Sequence, residues 1–119
     1  MDTFYQRQWL EDLVHTALWE KVISRDENSG PVYDPPREIR CNIQDISLAR
    51  ALSLQERGVN INYEVGVAGD QDINNDDRLT RAMDRFGTLL FPQAVVIRVV
   101  NYDDRRAGRV GRLVYCQLQ

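Results

Sequence analysis

The sequence predicts a mainly β protein, a small antiparallel β-barrel or sandwich with one N-terminal helix and long loops. Three observations carry this. "REIRCNIQ" alternates, with Ile39, Cys41 and Ile43 opposite Glu38, Arg40 and Asn42. "GVNINYEVGVAG" alternates further, with Val59, Ile61, Tyr63, Val65 and Val67 opposite Asn60, Asn62, Glu64 and Gly66. Such period-two patterns mark half-buried antiparallel strands. Finally, "AVVIRVVN" and "RVGRLVYCQLQ" flank the polar turn "YDDRRAG", which reads as a hairpin.

The elements follow in order. Thr3 and Gln6 stand at capping-box spacing, and Leu10, Leu13, Val14, Ala17 and Leu18 recur at three- and four-residue steps. This predicts a helix over 3–16 and a β domain over 17–118, in a single domain spanning 1–119. "LWEKVISR" is rich in β-formers and runs into "DENSGPVYDPP", a turn or loop in which Pro35-Pro36 interrupts any strand. "DISLARALSLQERG" reads as a flexible connection with room for a short helix. "TRAMDRFGTLLFPQ" reads as a segment that starts with a helical turn capped at Thr80 and ends at Gly87 and Pro92.

At 119 residues, 43% hydrophobic and 28% charged, the chain has the composition of one soluble globular domain. Its net charge of −3 lacks the basic footprint of a nucleic-acid binder. Of 15 basic residues only Lys21 is lysine. Arginine is favoured at protein interfaces, and genomic base composition gives the same bias. No apolar run reaches the roughly 20 residues that span a bilayer, and no signal-peptide pattern opens the chain. Cys41 and Cys116 sit in alternating apolar segments without CxxC spacing, which predicts buried thiols in a reducing compartment.

Chemistry is sparse. "AGDQDINNDDRL" looks like a calcium loop, with Asp70, Asp72 and Asn74 at ligand positions one, three and five. Position six is then Asn75 instead of glycine, and position twelve is Arg81 instead of glutamate. The better reading is a turn held by Asn and Asp side chains, with an inward Ile73 and carboxylates facing solvent or a neighbouring subunit. His15 is the sole histidine and lies on the expected helix. There is no nucleophile motif, dinucleotide fingerprint or P-loop. The expectation is a non-enzyme without cofactor or metal. Trp9 and Trp19 read as packing the helix on the β domain, with a partner contact as the alternative. "DDRRAGRVGR" suits a charged subunit contact or a solvated turn.

In their order, these segments resemble the head-tail joining (adaptor or stopper) proteins of long-tailed bacteriophages. The matching residues are Ile61, Tyr63 and Val65; Asp77, Arg78 and Leu79; Ile97, Val99, Asn101, Asp103 and Arg105; and Leu113, Val114 and Cys116. The resemblance covers about residues 37–118, with a longer segment at 80–93 than the family's brief turn. It implies a structural virion protein of the neck, assembled in the host cytoplasm as a homo-oligomeric ring of six or twelve copies. The ring would join portal or adaptor protein on the head side to a tail-completion or tail-terminator protein. It would lie near packaged double-stranded DNA, with a role in retaining or gating it, and away from membranes. The lumen or gating loop carried over by position holds Asp45, Arg50, Gln55, Glu56, Arg57 and Gly58. The candidate subunit interface holds Asp76, Asp77, Arg78, Asp103, Asp104, Arg105, Arg106 and Arg109. The rival expectations are a small nucleic-acid-binding β-barrel, which would bind single strands with strong salt dependence, and an enzyme or metal-binding domain built on the acidic turn.

Overall fold

The computed structural model describes all residues except 1–8, 27, 29, 47–51, 54, 57, 59 and 105–107. Eight strands are described: β1 (His15–Glu20), β2 (Val22–Asp26), β3 (Gly30–Tyr33), β4 (Arg37–Asp45), β5 (Tyr63–Ala68), β6 (Arg78–Met83), β7 (Leu89–Asp104) and β8 (Gly108–Leu118). Six of them close an antiparallel barrel in the order β1-β4-β5-β8-β7-β6, and β2 and β3 pair separately as a two-stranded sheet. Closure leaves the six barrel strands no open edge.

The alternating segments fold as their patterns require. Ile39, Cys41 and Ile43 of β4 are buried, as are Val65 and Val67 of β5. Val96, Val114 and Cys116 complete the wall contributed by β7 and β8, with Phe91 filling the interior against Tyr63. Burying one such side chain stabilises by about 1.5–3 kcal/mol. An exposed ion pair adds only about 0–1 kcal/mol. The apolar interior therefore holds the barrel, and charged pairs adjust its ends.

Two expectations are corrected. The helix expected over 3–16 does not run through 12–16: of its described residues only 9–11 are helical, β1 already begins at His15, and 3–8 lie outside the described residues. The apolar residues there satisfy two periods at once. Ala17 and Trp19 are buried at two-residue spacing, and β1 is committed by its pairing with β4 and β6. The helical turn at Thr80 is instead strand β6. Its pairing is irregular on both sides, and Arg81 adopts φ 48°. That bulge puts Leu79 and Ala82, both fully buried, three residues apart, which mimics a helical period. The long 80–93 segment is thus a β6–β7 hairpin turning at 84–88.

The connection from β4 to β5 has helical residues at 52–53 and 55–56. β5 starts at Tyr63, later than its alternation suggested, although Ile61 is buried and the Asn62 N–H bonds the Cys116 carbonyl at 2.9 Å.

Trp9 lies outside the barrel across β5 and β8, where two strand glycines make room for it. A Cβ at Gly66 would stand 3.4 Å from the indole, and one at Gly111 would overlap it. The Trp9 Nε1–H donates to the Val67 carbonyl at 2.7 Å, and Tyr102 lies 5.6 Å away, ring to ring. Gly111→Ala is therefore expected to cost about 1–3 kcal/mol through overpacking. The same change in a Trp9→Ala background should cost under about 0.5 kcal/mol. Urea unfolding of the four proteins measures the difference.

Candidate functional site

The acidic stretch closes one end of the barrel. Asp77 sits immediately before β6 and is fully buried. Its Oδ2 accepts the Trp19 indole N–H at 2.9 Å and the Asn74 N–H at 3.0 Å. Its Oδ1 accepts the Val22 N–H at 2.9 Å. The Asp77 carbonyl takes the Val96 N–H, and the Val96 carbonyl takes the Asp76 N–H, both at 2.8 Å. One residue thus joins β1, the start of β2, the turn and β7. A carboxylate is suited to this because it accepts at both oxygens. The Arg37 guanidinium stacks 4.6 Å from the Trp19 ring centre.

Arg78 follows on β6 and grips Glu20 of β1 through two bonds of 2.9 Å, from Nε and a terminal nitrogen. Its guanidinium also lies 4.2 Å from the Tyr33 ring centre. The bond to Glu20 pushes the Arg78 pKa above its ordinary value. Asp76, at φ 75°, pairs with Arg25 of β2. Together these contacts seat the β2–β3 sheet beside the barrel. A cleft of about 450 Å³ remains, lined by Arg25, Pro31, Tyr33, Asp76 and Val95 among others.

The rest of the stretch is also engaged. Asp72 accepts from Lys21 at 2.7 Å, which holds its carboxyl below the usual carboxylate range. Arg112 lies 4.0 Å from its other oxygen. Ile73 is fully buried between these polar neighbours, the inward anchor its position suggested. Among the described residues no group of three His, Cys, Asp or Glu is arranged to hold a metal ion.

Asp76, Asp77 and Arg78 are thus brought together, and each finds a partner within its own chain. For Asp77 the expectation of a solvent- or subunit-facing carboxylate is corrected, because the Trp19 and Val22 donors draw it inside. Asp103 lies eight residues beyond Val95 on β7, roughly 26 Å at about 3.3 Å per residue. The two halves of the expected interface are therefore not one patch. Asp103 is exposed and pairs in register with Arg109 of β8, and Asp104 pairs with Gly108. Arg105 and Arg106 lie outside the described residues.

Of the expected lumen loop, Asp45 ends β4, opposite Tyr63 of β5. Gln55 and Glu56 are exposed on a helical turn, and Gly58, at φ 76°, donates its N–H to the Gln55 carbonyl at 2.9 Å. Arg50 and Arg57 lie outside the described residues.

Sequence reasoning missed Glu20, Arg25 and Tyr33, which complete this end. Their signal was weak, since each is an ordinary residue whose partner is distant in sequence. The strand glycines Gly66 and Gly111 did carry a signal, because glycine inside an alternating strand marks a close approach. Trp19, expected to pack a helix on the domain, belongs to the barrel interior itself.

The nucleophile and base candidates are engaged or buried. His15 uses Nδ1 to accept the Ile43 N–H at 2.9 Å. Cys41 and Cys116 are free and buried, and burial pushes both thiols from 9.0 up to about 12. No protein-family model matches the chain, and no curated protein matches it significantly.

The raised thiols make stability depend on alkaline pH. Above about pH 8.5 the unfolded chain loses thiol protons that the folded chain keeps. Folding stability then falls as pH rises toward the folded value. Urea unfolding across this range should show a steeper decline for the natural protein than for a Cys41→Ala/Cys116→Ala variant. Equal slopes would contradict the burial of the thiols.

Proposed function

We propose that this protein is a non-enzymatic structural component of the neck of a long-tailed bacteriophage, acting as a ring between portal and tail. The observation that carries the reading is a closed antiparallel barrel with its elaborations divided between its two ends. At one end, Trp19 and Glu20 of β1 pair with Leu79 and Arg78 of β6. The β2–β3 sheet and the cleft lie here. At the other end, Thr16 pairs with Met83. From this end leave the β6–β7 turn and the connection that runs from Asp45 to Tyr63. A rigid barrel with outgrowths at both poles suits a subunit that must meet neighbours and still send a loop elsewhere. The ordered motifs from Ile61 to Cys116 give the reading its particular family.

Charge and chemistry agree with it. A net charge of −3 suits a conduit through which DNA slides, because each phosphate neutralised by protein would add affinity. The buried thiols and the engaged His15 leave no prepared nucleophile–base pair at these groups. The Asp45–Gly58 segment is the candidate lumen element.

The test mixes the purified protein with isolated portal rings, followed by light scattering and electron microscopy. The expected result is an added ring of density on the portal and a matching gain in mass. Failure to bind either portal or tail assemblies would overturn the reading. Strongly salt-dependent binding to single-stranded oligonucleotides in the same buffer would instead favour a nucleic-acid-binding barrel.

A further inference from the structure

The segment that leads into β1 is joined to the barrel at two points and stands off it between them. At one point the Trp9 indole lies on the outer wall of β5 and β8, with its N–H on the Val67 carbonyl at 2.7 Å. At the other, Leu13 is buried and its carbonyl accepts the Arg40 Nε–H at 3.2 Å. Between these points Leu10, Glu11 and Asp12 are exposed. Among the described residues the backbone bonds made here stay within the segment. The Asp12 N–H bonds the Trp9 carbonyl at 3.3 Å, the Leu13 N–H the Leu10 carbonyl at 3.2 Å, and the Val14 N–H the Asp12 carbonyl at 3.0 Å. A trough of about 200 Å³ lies between segment and wall, with Trp9, Asp12 and Leu13 on one side and Asn42, Gln44 and Gly66 on the other.

The wall is held by its own ladders. Gly66 pairs with Asn42 and Leu113, and Gly111 pairs with Ala68 and Tyr102. β1 begins beyond the segment, at His15, and pairs with β4 and β6. The barrel therefore closes without residues 9–12. An element fixed by few buried contacts opens at a lower free energy than a core strand, while the rest of the fold stays formed. The closed position is nonetheless a specific one. The indole has a hydrogen bond, the Tyr102 ring beside it, and a seat so close that a Cβ on Gly111 would overlap it.

We infer that residues 9–12 form a strap that opens as a unit, hinged at Leu13, while the barrel stays closed. Trp9 is its latch. Opening withdraws the indole from the Gly66–Gly111 notch and bares the Val67 carbonyl on the outer wall. Trp19, the chain's other tryptophan, provides the contrast. Its indole N–H donates to Asp77 Oδ2 at 2.9 Å from within the barrel core, so it is released only when the barrel itself opens. The chain thus carries two bonded indole N–H groups, one on the strap and one in the core. The opening is a property of the single chain and does not rest on the neck reading.

Hydrogen exchange of these two groups, followed by NMR from zero to subdenaturing urea, tests the inference, with Trp9→Phe to assign the signals. The Trp9 N–H should be protected relative to free indole yet exchange at least about tenfold faster than the Trp19 N–H. Its rate should respond little to urea, because strap opening exposes little surface, whereas the Trp19 N–H should follow the steep urea dependence of global unfolding. In Gly111→Ala the overlap should hold the strap open. The Trp9 N–H then exchanges like free indole while the Trp19 N–H stays protected. One rate and one urea dependence for both groups, a Trp9 N–H without protection in the natural protein, or loss of both protections together in Gly111→Ala would overturn the inference.

Discussion

The buried carboxylate of Asp77 is the constraint on which the cleft end of this molecule depends. Leaving a buried polar group without a partner costs about 1–3 kcal/mol, and more when it is charged. Asp77 avoids that cost with three N–H donors from three parts of the chain: the Trp19 side chain, the Val22 backbone and the Asn74 backbone. Each donor in turn is satisfied only when the carboxylate is in place. The geometry is therefore all-or-none. The β1–β2 junction, the acidic turn and β7 meet at one residue, and the β2–β3 sheet hangs from it. The ion pairs Arg25–Asp76 and Lys21–Asp72 sit at the surface around this centre and contribute less.

This arrangement separates two kinds of structure in a small chain. The barrel interior is apolar and closed. The poles carry what a partner would meet: a preformed cleft at one, a fixed aromatic turn and a long connection at the other. Cys41 and Cys116 are buried in the interior, and His15 is engaged by the Ile43 N–H, so all three are occupied in holding the fold.

Much of the fold was legible in the sequence because alternation has one meaning. β4 and the core of β5 follow from period-two patterns with one buried face, and the β7–β8 hairpin from an apolar run and a strand joined by a polar turn. Where two periods overlap, reading fails. Leu10 to Leu18 fits a helical stripe, yet Ala17 and Trp19 face inward from a strand. The bulge at Arg81 shifts the alternation of β6 by one residue, so Leu79 and Ala82 look helical. Both are cases of pairing partners deciding what local pattern leaves open. The site was legible in part. "DDR" was singled out, but as a surface element, because nothing local tells that Asp77 is taken inside by a tryptophan 58 residues earlier. Likewise Glu20 is joined to Arg78 only by the closure of the barrel.

The most direct test of this account is the unfolding free energy of Asp77→Asn in urea, set against that of the natural protein. Asparagine preserves the shape but keeps one acceptor oxygen in place of two. Its amide N–H₂ must then face a backbone or indole N–H in either orientation. The account predicts a loss of about 2–4 kcal/mol, since at least one buried donor is left unmatched. A change within about 0.5 kcal/mol, the size expected of an ordinary surface substitution, would contradict it.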